Sequence, residues 1–185
     1  MATKHDRQAH GAGRQCGITL LEACVVVAVT AIVAATALPS FSALIDGHRL
    51  EGAASRLAAD VQFVRSEALA CNRALRLSIH AGADASCWVV HTGAADKCGC
   101  DNGTSVVCHG DAVEIKSVVL PAAERVSVAA NVASIVFDPL HGTSTPTGTL
   151  RLIDFRGRAI HHVVNVVGRI RSCAIGGATA GYPAC

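Results

Sequence analysis

Apolar and polar positions divide this chain into three regimes. From Ile18 to Leu38 almost every residue is apolar, and Glu22 is the one charged side chain. From Ser42 to Ala70 the apolar positions thin out to a stripe of Leu50, Ala54, Leu57, Val61, Val64 and Ala68, at alternating spacings of four and three. That period predicts a helix, ending near Cys71 or Asn72, with one buried face. Arg49, Glu51, Arg56, Asp60, Arg65 and Glu67 fall mainly on its other faces, and Arg56 and Asp60 have i,i+4 pairing distance. Pro39 and Gly47 are the positions where such a helix would bend.

Beyond Arg73 the pattern shortens and alternates, which predicts strands. Leu75–His80 and Cys87–His91 flank a Gly-Ala-Asp turn, and a glycine- and cysteine-rich loop runs from Thr92 to Gly110. Strands are expected at 113–120, 125–129 and 134–137. Pro139–Gly148 reads as a loop. A hairpin is expected over 149–155 and 159–167, joined through Arg156-Gly157, with a last strand or rim loop at 169–173. The organisation read from the pattern is a leader (1–17), an apolar half-helix (18–38), an amphipathic half-helix (39–72) and an antiparallel β domain (73–185). About 110 residues after the helix suffice for one modest core.

The apolar stretch spans about 21 residues, roughly 30 Å as a helix, which matches a bilayer core. Lys4, Arg7 and Arg14 precede it, so that end is expected in the cytoplasm and the β domain on the far side. The only small-residue cleavage site, Gly17, lies before the apolar run. An ordinary secretory signal has the opposite order. Glu22 is costly in a membrane, by about 3 kcal/mol or more. An amine freed at Ile18 by cleavage after Gly17 would lie one helical turn from Glu22, to pair within the chain or with a neighbouring chain.

Gly17-Ile18-Thr19-Leu20-Leu21-Glu22, with its basic leader, apolar run and Pro39, resembles the class III signal of type IV pilins and pseudopilins. Phe137-Asp138-Pro139-Leu140-His141-Gly142, Thr149-Leu150-Arg151-Leu152 and Gly168-Arg169-Ile170-Arg171 narrow the resemblance to the GspH/FimT group. It implies the α+β pilin fold, a long N-terminal helix packed on an antiparallel β domain. It also implies cleavage and N-methylation by a prepilin peptidase at Gly17 and Ile18, and subunit docking guided by Glu22. The implied partners are other major and minor pilins and an inner-membrane assembly platform. The chain would wait as a single-span inner-membrane protein with a periplasmic β domain, then enter a pilus or pseudopilus.

Charge adds one asymmetry. The whole chain carries a formal +2, yet from Pro139 onward Arg151, Arg156, Arg158, Arg169 and Arg171 face a single acid, Asp154. Arg169 and Arg171, two apart in an extended segment, are expected on one side, with Ile170 inward. Gly168 would let a polyanion approach the backbone, and Arg156 and Arg158 would widen the patch if the hairpin folds beside it. Guanidinium groups suit phosphate, and with Tyr182 the only nearby aromatic residue, backbone contact is favoured over base readout. In FimT-like proteins a similar GRxR motif belongs to DNA capture in natural transformation, so the resemblance implies sequence-independent DNA binding. A GspH-like pseudopilin of type II secretion with protein partners, and a ligand-free assembly initiator, are the alternatives.

Nine cysteines in 185 residues, together with an export signal, predict disulfides. Cys16 leaves with the leader, Cys24 lies in the apolar helix and Cys71 is the expected odd thiol. Cys87, Cys98, Cys100, Cys108, Cys173 and Cys185 remain. Cys173–Cys185 is the expected bridge at the tail, with the other four pairing among themselves. Cys98-Gly99-Cys100 with Cys108-His109 is tighter than usual zinc spacing, and no metal or cofactor is expected. The nine histidines include His161-His162, which point to opposite faces of a strand, and His141 near Asp138. None has a nucleophile, so the chain is read as a peptidase substrate and not an enzyme.

Overall fold

A computed structural model describes residues 17, 19–101, 105–175, 179 and 181–185. Residues 1–16 of the leader, and Ile18, lie outside the described residues. The chain divides into two compact units, 1–41 and 42–185, and one helix, α1 (Leu20–Ala70), contributes to both.

In the first unit Leu20, Leu21, Val25, Val27, Ile32 and Val33 are all more than half exposed. A helix bare and apolar all round belongs in a non-aqueous setting. Its few hydroxyls are satisfied internally: Thr30 Oγ1 donates to the Val26 carbonyl at 2.6 Å and Thr36 Oγ1 to that of Val33 at 3.0 Å. This is the one helix, among the described residues, long and apolar enough to cross a membrane. Thr19 caps it, its Oγ1 accepting the Glu22 N–H at 3.2 Å. Thr19 and Glu22 thus stand at the two key positions of a capping box.

In the second unit the stripe of Leu50, Ala54, Leu57, Val61, Val64 and Ala68 is completely buried. α1 stays helical through Pro39 and Gly47 and stops at Ala70. Asn72 adopts φ 46°, and the Arg73 and Asn72 N–H groups return to the carbonyls of Ala68 and Leu69. That is a Schellman cap with Asn in the left-handed position.

Eleven strands follow in order: β1 (Leu75–Ala81), β2 (Ala85–His91), β3 (Cys98–Asp101), β4 (Ser105–Cys108), β5 (Glu114–Pro121), β6 (Val126–Ala130), β7 (Ser134–Phe137), β8 (Ser144–Thr145), β9 (Gly148–Asp154), β10 (Ala159–Val164) and β11 (Ile170–Ala174). They form a five-stranded sheet, β5-β2-β1-β7-β8, a four-stranded sheet, β11-β10-β9-β6, and the small β3-β4 hairpin. Alternate residues of both larger sheets, among them Leu77, Trp88, Phe137, Leu152 and Ile160, join the helix stripe in one core.

Two polar devices fix the helix to the sheets. Asp60, fully buried, accepts Trp88 Nε1–H at 2.7 Å and pairs with Lys116. It therefore turns inward, and the expected surface pair with Arg56 does not form. Neutral His162 on β10 donates Nε2–H to the Ala54 carbonyl at 2.9 Å and accepts from Ser172 Oγ at 2.8 Å.

The Thr92–Gly110 region is not a plain loop. It holds β3 and β4, with Cys98 paired in register opposite Cys108. The bridges are Cys87–Cys100, Cys98–Cys108 and Cys173–Cys185. Cys98–Cys108 closes the hairpin on itself, and Cys87–Cys100 ties it to the outer side of β2, where a small second core forms with Val89 and Val106. Cys24 and Cys71 are free and exposed, and the Cys71 thiol donates to the Glu67 carboxylate.

Candidate polyanion-binding face

The two hairpins of the four-stranded sheet share one turn. Asp154-Phe155-Arg156-Gly157-Arg158 joins β9 to β10, and Asn165-Val166-Val167-Gly168-Arg169 joins β10 to β11. In each, the glycine N–H returns to the carbonyl three residues back, and the first and last residues pair. Gly157 has φ 80° and Gly168 φ 70°. This is a three-residue hairpin loop with glycine at the left-handed position. In both, the first side chain accepts the last residue's backbone N–H: Asp154 that of Arg158 at 2.8 Å, and Asn165 that of Arg169 at 2.9 Å.

Their charge differs. Asp154 is a carboxylate, and its Oδ2 holds Arg158 Nε at 2.6 Å. Asn165 is an amide and has no charge to offer Arg169. Arg156 is engaged too, with Nη2 3.7 Å from the buried Asp46 and its guanidinium 5.2 Å from the Phe155 ring. Arg125 completes that cluster, 3.7 Å from Asp46 and stacked at 3.5 Å on Phe155. The two turns lie at opposite ends of β10, about 20 Å apart for a six-residue strand. The hairpin does fold beside β11, but Arg156 and Arg158 are carried to the far end and bound to carboxylates. They do not join Arg169 and Arg171.

Gly168 is buried, not open to a ligand. A Cβ built on it would lie 2.6 Å from the Gly142 carbonyl oxygen and 2.8 Å from Arg65 Cδ. Arg65 Nε donates to that same carbonyl at 3.0 Å. The glycine serves the turn and its packing on α1; a polyanion does not reach the backbone there. Ile170 packs on the core, while Arg169 and Arg171 are exposed on either side of it.

The register supplies neighbours that the motif alone does not. Arg171 stands opposite Val163, which stands opposite Thr149; Cys173 stands opposite His161, which stands opposite Arg151. Directly opposed residues share a face, so Arg169, Arg171, His161 and Arg151 all lie on the outer face of this sheet. Asp154, the single acid on these three strands, points inward and is buried. No described residue pairs with the side chains of Arg151, Arg169 or Arg171, and Arg151 Nε is covered without an acceptor. Burial and the Arg151 charge push the His161 pKa down. The Cys173–Cys185 bridge, with the Ala174 N–H on the Pro183 carbonyl and the Cys185 N–H on that of Ala174, secures the tail along β11. The expected hairpin, turning on Arg156-Gly157, would set Arg151 opposite His162; the three-residue loop shifts the register by one and brings His161 there instead.

Elsewhere, polar groups serve structure. Asp138 Oδ1 accepts the Leu140 and His141 N–H groups at 3.0 and 2.8 Å, which holds its pKa below the usual range. His141 is thus part of a turn. Among the described residues, no group of three or more His, Cys, Asp or Glu side chains is placed to hold a metal.

A family model described as type II transport protein GspH matches residues 53–168. Comparison with curated proteins and with solved structures finds no match.

Proposed function

The chain belongs to the GspH family, and we propose that it is a minor pilin that presents a DNA-contacting face on its β unit. Membership supports a minor pilin or pseudopilin role, a structural component assembled with other pilins, and the long apolar helix fits a membrane-anchored subunit. In this reading a prepilin peptidase cuts after Gly17 and methylates Ile18. Glu22 meets a neighbour's amine as the subunit leaves the inner-membrane assembly platform, with its β domain on the periplasmic side.

The observation that carries the DNA reading is the state of the arginines. Arg156 and Arg158 are neutralised by Asp46 and Asp154, whereas Arg169 and Arg171 are exposed without an acid partner among the described residues. Two guanidiniums on a face with no Asp or Glu side chain among the described residues suit phosphate oxygens, a contact that gives affinity without reading sequence.

A second reading, a type II secretion pseudopilin with protein partners, is favoured by the family's description and by exposed Leu140, Val166 and Val167 beside the same turn. The experiment replaces Arg169 and Arg171 with alanine in the producing cells. The DNA reading expects filament incorporation to persist while DNA retention by the purified protein is lost. Retention equal to the parent's removes the DNA role and leaves the pseudopilin.

A further inference from the structure

We propose that the phosphate-binding surface is the whole outer face of the four-stranded sheet, with Arg151 as a third phosphate contact and His161 as a contact that strengthens on acidification. This rests on the DNA reading above and extends it to two residues outside the Gly168–Arg171 motif.

Three observations carry it. First, the ladders place Cys173, His161 and Arg151 in one row across β11, β10 and β9, beside the row of Arg171, Val163 and Thr149. Neighbouring strands lie about 4.8 Å apart and next-but-one residues about 6.8 Å, so Arg171 and Arg151 are separated by roughly 12 Å. That separation lets a nucleic-acid backbone lying across the sheet meet both guanidiniums at different phosphates.

Second, Arg151 has no partner among the described residues. Arg65, Arg76, Arg125, Arg156 and Arg158 all reach a carbonyl, hydroxyl or carboxylate. Among the described residues Arg151 has a covered Nε with no acceptor, on strands whose single acid, Asp154, points inward. A half-buried cation left unpaired in the free protein gains most from an arriving anion.

Third, His161 sits between these arginines. The charged group facing it is Arg151 on β9; on β11 it faces Cys173, held in its bridge, with Arg171 one pair further along. Burial and the Arg151 charge keep the imidazole neutral near neutral pH. A bound polyanion offsets both penalties, so acidification adds a cation to the bound state.

The test uses the full chain in neutral detergent and a fluorescent duplex of mixed sequence, titrated across a salt series at about pH 7.5 and about pH 5.5. Arg151→Gln is expected to weaken binding about five-fold or more and to lower the salt slope by about one. Arg151→Lys is expected to keep the parent slope. The parent binds more tightly at the lower pH, and His161→Gln removes that gain. Arg56→Gln, on the outer side of α1, is the control and binds as the parent does.

If the parent binds and Arg169→Ala with Arg171→Ala loses binding, yet Arg151→Gln and His161→Gln match the parent at both pH values, the extended face is wrong and the DNA reading stands. If the parent itself does not bind, both fall.

Discussion

Asn165 accepts the backbone N–H of Arg169 at 2.9 Å and leaves its guanidinium without a carboxylate. In the sister turn Asp154 makes the same backbone bond to Arg158 and then takes the guanidinium as well, at 2.6 Å. One amide in place of one acid thus separates an available arginine from a neutralised one. Asn165→Asp is expected to preserve the turn, because the Asp154 hairpin shows that the acid fits. It should reduce DNA affinity about five-fold or more by supplying an internal partner for Arg169. Thermal unfolding and a DNA titration of the same sample check both halves.

Gly168 carries a second expectation. At φ 70°, with Gly142 O 2.6 Å from the site of a Cβ, Gly168→Ala meets both backbone strain and a clash. A loss of about 2–3 kcal/mol in unfolding free energy is expected, measured by denaturant titration. An unchanged midpoint would mean that the glycine is not held by the turn and Arg65.

Much of this was legible from the residues. The spacing of Leu50 through Ala68 identified the buried stripe because a helix has one period and one core-facing side. Seven of the strands announced themselves by alternation. What escaped were features fixed by partners distant in sequence. Asp60 looked like a surface acid because nothing in its own helix reveals Trp88 and Lys116. β3 and β4 were hidden because Cys98, Gly99 and Cys100 carry no hydrophobic alternation, and their hairpin is defined by bridges. The charge state of each arginine depended on whether Asp or Asn opens its turn, a difference visible in the sequence but meaningless before the turns are seen to be equivalent.

Asp60 tests how the helix is fastened. Removing it strands the buried Trp88 Nε1–H and opens a small void beneath Lys116. Asp60→Ala is expected to cost about 3 kcal/mol, read from denaturant unfolding. It should leave the DNA titration unchanged in any fraction that remains folded.

Stability should also fall on mild acidification. His91 and His162 are both held below the usual histidine pKa by burial. His162 is neutral between Ala54 and Ser172, and His91 between Ser78 and Thr92. A depressed folded pKa means that the unfolded chain binds more protons in the window below about 6.5. Their contribution is therefore complete above that pH. It is lost as pH falls toward the folded values, at up to about 1.4 kcal/mol per pH unit for each histidine. His162→Gln should flatten the slope, and urea midpoints between about pH 7.5 and 5 check it.

The central claim is that Arg169 and Arg171, which have no acid partner among the described residues, contact phosphate. It is tested most directly by the dependence of DNA affinity on salt in the parent and in Arg169→Ala with Arg171→Ala. Loss of two phosphate contacts predicts a slope shallower by about 1.8 in log K against log salt, with weaker binding to every duplex sequence. A double variant whose slope and affinity match the parent's would contradict the account.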